Sequence, residues 1–177
     1  EDPSLTLEPL NKATTGGSQT GELNLQPQAL AQLETGIRKA VSAYCENLND
    51  AGLAHHQALS RADADYGVRA WGTVLASGGR QTPHIHPTAW ISGVYYAAVP
   101  KDLTDKSGAI QFGLPPERAG ITNKLPEDFQ LKTIKPEEGL LVLFPSYMYH
   151  QTLPFESSEA RISIAFDALP FPAMAVF

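Results

Sequence analysis

Four residues in this chain have the types and the spacing to do chemistry together. His84 and His86 flank Ile85, just before the strand-like run Trp90-Ile91-Ser92-Gly93-Val94-Tyr95-Tyr96. Residues two apart on extended chain share a face, so both imidazoles can converge on one point. His150 lies far downstream, after the apolar run Leu140-Leu141-Val142-Leu143-Phe144. Brought alongside by a distant strand, it would complete a facial site for a borderline divalent metal. Arg161 follows eleven residues later. On a neighbouring strand, its planar fork can hold a carboxylate beside that metal. His55 and His56 are the contrast. Adjacent side chains point apart on strand or helix, and this pair sits in a polar stretch after a predicted helix, so both read as solvated residues.

The elements that must position these residues are also legible. Residues 1–22 are rich in Thr, Gly and Ser, including Gly16-Gly17-Ser18, and read as a flexible lead-in or linker. Leu25, Leu30, Leu33, Ile37, Val41, Tyr44 and Leu48 then recur at steps of three to five, mostly three or four. This predicts an amphipathic helix over 26–48, with Pro27 in its first turn, packed on the outer face of a sheet. After Gly67 come short segments rich in Val, Ile, Phe and Tyr. They are 68–76, 90–99, 109–113, 131–135, 140–145, 148–153 and 161–168, punctuated by Gly and Pro. So many short strands predict a mainly β sandwich or jelly roll with two facing antiparallel sheets. Residues 23–177 are expected to form a single domain that includes the helix. The break at 114–130, with Pro115-Pro116, Arg118, Gly120 and Lys124, is placed at the mouth of the fold as a lid, the alternative being a plain surface insertion.

Composition excludes several classes. Apolar residues are 42% and charged residues 18%, which are globular values. A net charge of −6 and no Lys/Arg-rich run argue against nucleic acid as a partner. One cysteine, Cys45, excludes an internal disulfide and a thiolate zinc cluster, and its place on the predicted helix makes it a packing residue. No apolar run has membrane-spanning length, so no membrane is expected as a partner and the cytoplasm is the expected compartment. The chain starts at Glu1 without Met, which suggests a trimmed or processed product whose upstream segment is missing. A homodimer is left open. Ser146 has no histidine–acid grouping that would make it a nucleophile. Trp71 and Trp90 read as core or pocket-wall aromatics. Ser92-Gly93 marks a bulge or a close approach.

Residues 67–168 resemble the iron(II)/2-oxoglutarate-dependent oxygenase superfamily, and within it a bacterial and phage-related branch of uncharacterised 2OG-Fe(II) oxygenases. The resemblance rests on His84-Ile85-His86-Pro87, Ile91-Ser92-Gly93-Val94-Tyr95-Tyr96, Gly139-Leu140-Leu141-Val142-Leu143-Phe144-Pro145-Ser146, His150, and Arg161-Ile162-Ser163-Ile164-Ala165-Phe166, in that order. It implies a double-stranded β-helix, jelly roll or cupin-like, with Fe(II) as metal and 2-oxoglutarate as co-substrate. It further implies decarboxylation to succinate with hydroxylation of a C–H bond in a small-molecule or peptide substrate. By the same resemblance His84, His86 and His150 would hold the metal. Arg161, supported by Ser163 and Tyr96, would bind the distal carboxylate of 2-oxoglutarate.

His86 falls where most members place Asp or Glu. An imidazole brings no charge to the ion, and three imidazoles also suit zinc. That keeps a second reading in view: a non-redox, cupin-like metal protein acting as isomerase, hydrolase or small-molecule sensor. Asp167 shares the face of Arg161 and Ser163 by strand period and could supply the carboxylate, although it reads more simply as the end of the strand.

Overall fold

A single strand of 19 residues, Tyr66–His84, organises the molecule. The computed structural model describes residues 5–7, 13–56, 59, 65–117, 120, 126 and 129–171. Among these the order is β1 (Thr6–Leu7), β2 (Thr14–Glu22), α1 (Gln28–Asp50), β3 (Tyr66–His84), β4 (Ile91–Ala98), β5 (Ile110–Phe112), β6 (Lys132–Ile134), β7 (Leu141–Pro145), β8 (His150–Thr152) and β9 (Arg161–Pro170). Each strand expected from the sequence is present; all but one keep within two residues of their expected bounds, whereas the strand expected over 68–76 runs on through Gly78-Gly79 to His84.

All strand pairings are antiparallel, and the main path runs β6-β5-β8-β3-β9-β4-β7. The first half of β3 pairs with β9, from Tyr66↔Pro170 to Leu75↔Arg161. Its last residues pair with β8, at Gln81↔Thr152 and His84↔His150. The two expected layers are therefore joined into one sheet that curls back on itself. Its ends meet across an apolar interior: Phe112 of β5 and Phe144 of β7 pack edge to face at 5.0 Å, among Val94, Tyr96, Ile110 and Val142. This is a double-stranded β-helix.

The lead-in expectation for residues 1–22 needs correcting. Residues 14–22 form β2, which pairs along β3 from Thr14↔Gln81 to Glu22↔Trp71. The composition looked loose because β2 packs through its backbone. A Cβ on Gly17 would come within 2.4 Å of the Val74 carbonyl oxygen, so glycine is what lets the strands approach.

The helix lies as expected. Ile37, Val41 and Cys45, each four residues after the last, are buried against Ala70, Ile91, Phe166 and Ala168. Arg38 ties the helix down, bonding Glu34 at 2.7 Å and the Tyr66 carbonyl at 3.2 Å. Gly52, at φ 73, ends it in the left-handed conformation that glycine tolerates. No helix among the described residues is long and apolar enough to cross a membrane.

Strand alternation then divides the work. On β9, Phe166 and Ala168 face α1, whereas Arg161, Ser163, Ala165 and Asp167 line a cavity of about 680 Å³ on the other side. Gly93 lies under the Phe166 ring, which a Cβ there would meet at 2.3 Å. The Ser92-Gly93 step is thus a close approach of a side chain.

Candidate functional site

The cavity is built from rows of residues across three neighbouring strands. Arg69, Asp167 and Ser92 form one row across β3, β9 and β4, and Thr73, Ser163 and Tyr96 form another. The first lies beside a histidine cluster and the second beside Arg161.

At the cluster, His84, His86 and His150 place ligand atoms within 4.8 Å of one another. His84 and His150 face each other across the β3–β8 ladder, with ring centroids 4.2 Å apart. His86 lies just past the end of β3, where its N–H donates to the Ser146 carbonyl at 3.0 Å, and its ring stacks near His84 at 5.3 Å. His84 and His86 thus converge as their spacing predicts, although only His84 belongs to the strand.

Each ring is oriented through its Nδ1. His84 Nδ1 lies 2.7 Å from the Thr82 carbonyl, and His150 Nδ1 lies 3.0 Å from the Met148 carbonyl. His86 Nδ1 lies 2.5 Å from Asp167 Oδ1. Carbonyl and carboxylate oxygens only accept, so each Nδ1 carries the proton and each Nε2 keeps a lone pair. Burial lowers the pKa of His84 to about 4 and of His150 to about 3, so neither ring is protonated near neutrality. Three imidazoles, each held through its Nδ1 with Nε2 left to donate, are the donor set that a borderline divalent ion requires.

Asp167 has a place that sequence reasoning missed. It is neither a member of the cluster nor the end of its strand, which continues to Pro170. Its Oδ1 accepts from His86 and, at 2.7 Å, from Ser92 Oγ, while Arg69 stands 3.5 Å from Oδ2. Burial raises its pKa, but the bonds from His86 and Ser92 and the nearby positive charge outweigh that and leave it below the usual carboxylate range. Trp71 packs beside His86, with ring centroids 5.6 Å apart, and Trp90 belongs to the core against α1. Ser146 donates to the Ala89 carbonyl, a structural bond.

At the other end Arg161 is 1% exposed, and no carboxylate pairs with it among the described residues. Its guanidinium lies over the Tyr96 ring, 4.9 Å from the centroid. Its Nε and Nη1, the Tyr96 hydroxyl and Thr73 Oγ1 are all buried with no hydrogen-bond partner among the described residues. Burial raises the Tyr96 phenol pKa, with the Arg161 charge offsetting part of the rise. A buried cation and unpaired donors are costly unless an anion meets them. An oxyanion such as a carboxylate fits this set. Thr73 was not foreseen, since threonine is also an ordinary strand residue.

The cavity is also lined by Glu22 of β2, Arg69, Trp71 and Pro116. Arg118 and Lys124, expected on the lid, lie outside the described residues. His55 is exposed and stands apart from the cluster, as does His56.

Comparison with known proteins agrees with this geometry. Residues 69–167 match the family model described as "Putative 2OG-Fe(II) oxygenase", which covers more than half of the chain. No curated protein matches the sequence. The fold is similar to a prolyl-4-hydroxylase of Pseudomonas putida, with 16% identity, TM-score 0.56, and 94% of this chain and 78% of that one covered. It is also similar to a prolyl hydroxylase of Trichoplax adhaerens, solved with a peptide of the hypoxia inducible factor oxygen degradation domain (13% identity, TM-score 0.57, coverage 95% and 71%). A third similar structure is the viral collagen prolyl hydroxylase of Paramecium Bursaria Chlorella virus-1, solved with 2OG (15% identity, TM-score 0.56, coverage 92% and 82%).

Proposed function

The chain belongs to the 2OG-Fe(II) oxygenase family, and from that premise we propose that it hydroxylates a C–H bond with dioxygen, one oxygen atom entering the substrate and the other the succinate formed as 2-oxoglutarate loses carbon dioxide. In this reading His84, His86 and His150 hold Fe(II), and Arg161, Ser163 and Tyr96 receive the far carboxylate of 2-oxoglutarate, joined by Thr73. The observation that carries it is the buried, unpaired Arg161 with the orphaned Tyr96 and Thr73 hydroxyls, in the same cavity as the three imidazoles.

Iron and 2-oxoglutarate supply the oxidising chemistry when bound. The chain binds, orients and shields. The guanidinium fork fixes one end of the co-substrate, and the locked Nδ1 protons keep the three rings aimed at a common point. Trp71 walls the metal end, and substrate would enter past Glu22, Arg69 and Trp71, cavity-lining residues that keep some exposure. Because three similar folds are prolyl hydroxylases, a peptidyl proline is the first substrate to try, with small molecules next.

Lysine keeps the charge of Arg161 but lacks the planar fork. Arg161→Lys should weaken 2-oxoglutarate binding by about 2 kcal/mol and leave metal affinity alone. Calorimetric titration under nitrogen measures both, and equal 2-oxoglutarate affinities would remove the co-substrate assignment from this end of the cavity. Succinate formation by the iron-loaded protein without a prime substrate separates this reading from a non-redox metal protein, which makes none.

A further inference from the structure

We propose that Asp167 is a positioning residue for the metal: through His86 it supplies the negative charge that a carboxylate ligand would otherwise bring to the ion. This rests on the reading of His84, His86 and His150 as the metal ligands.

The three imidazoles are not equivalent. His84 and His150 give their Nδ1 protons to neutral carbonyls two residues away in sequence. His86 gives its proton to a carboxylate 81 residues away, at 2.5 Å. A charge-assisted bond of that kind draws the proton towards oxygen and makes the opposite nitrogen a stronger electron donor. The charges also balance. A divalent ion on three neutral imidazoles keeps a charge of two plus, and adding buried Asp167 leaves one plus, the same as for two imidazoles and one carboxylate. Arg69 does not cancel this, because it lies at 3.5 Å from the other oxygen and its side chain is 41% exposed.

Asp167 is also held for the task. It is 2% exposed, and Ser92, fully buried on the next strand, gives its hydroxyl to the same Oδ1 that His86 uses. With Oδ1 taken twice and Oδ2 turned to Arg69, the carboxylate acts on the cluster through the His86 ring. The competing account makes Asp167 a support of the fold, as the middle of the Arg69–Asp167–Ser92 row.

Co(II) titration followed by calorimetry separates the two. Asp167→Asn keeps the shape and removes the charge. It should lower Co(II) affinity about 10- to 100-fold in the wild-type background. In the His86→Asp background the ligand carries its own charge, so the same change should leave Co(II) affinity unchanged or raise it. Equal losses in both backgrounds, or no loss in the wild type, would overturn the proposal. Ser92→Ala provides a second comparison, needed if His86→Asp does not fold. It loosens the row but spares the His86 bond and the charge, so its loss of Co(II) affinity should fall well short of that of Asp167→Asn. A Ser92→Ala loss matching that of Asp167→Asn would favour the fold-support account and overturn ours. Failure of the wild-type protein to bind Co(II) would sink the metal reading beneath both accounts, an outcome distinct from the loss of the Asp167 role alone.

Discussion

Individual side chains at this site trade stability for readiness to bind. His84 and His150 have pKa values near 4 and 3 in the fold against about 6.5 in an unfolded chain. The unfolded state therefore takes up protons first as pH falls. The metal-free protein should keep the contribution of these rings above pH 6.5 and lose it progressively as pH falls from 6.5 towards 3. With both rings contributing, the slope is at most about 2.7 kcal/mol per pH unit. Urea unfolding of chelated protein at pH 7 and pH 5 would check this, and a flat profile would contradict the burial of these rings. Thr73 gives a converse case. Its hydroxyl is buried without a partner, so Thr73→Val should not destabilise the ligand-free protein. It should nonetheless weaken 2-oxoglutarate binding by about 1 kcal/mol if the hydroxyl meets the carboxylate. Melting curves and titration of the same variant measure both effects. Sequence alone exposed His84, His86, His150 and Arg161 because such residues are scarce and fall on the strand period. Thr73 stayed hidden, and Asp167 was legible only as a residue on the face of Arg161 and Ser163, because what each one meets depends on register, on which residue lies opposite Ser163 and Ser92 on neighbouring strands.

Elements were legible wherever apolar residues showed a period. The stripe of α1 and the Val- and Ile-rich strands announced themselves, whereas Thr14–Glu22 carries no such alternation and earns its strand only by pairing with β3. Deleting residues 1–22 makes that difference measurable. A linker could be removed at no cost. Loss of β2 should instead lower the melting temperature by several degrees and expose the edge of β3, since one kcal/mol shifts a domain of this size by about 2–4 °C. Residues Gln19 to Glu22 also wall the cavity, so the shortened protein should lose coupled turnover before it loses Co(II) binding.

For the whole molecule the curl matters most, because the proposed ligands join its parts. His84 and His150 sit on paired strands of one layer, and His86 connects through Asp167 to β9 in the other. Metal should therefore stabilise the entire fold, by about 2.7 kcal/mol when its concentration is a hundred times Kd. Scanning calorimetry with and without chelator would show a single transition moving upwards; a separate low-temperature transition would mean that the site melts alone. The rows across β3, β9 and β4 carry one more consequence, for heredity. Along β9, Arg161, Ser163 and Asp167 keep to one face because the steps between them are even. Inserting or deleting one codon between 163 and 167 would turn one end of the site towards α1 and break the register with both neighbours. Substitution can retune this segment residue by residue, but its length is frozen, and lineages that vary in size must do so in the connections outside it.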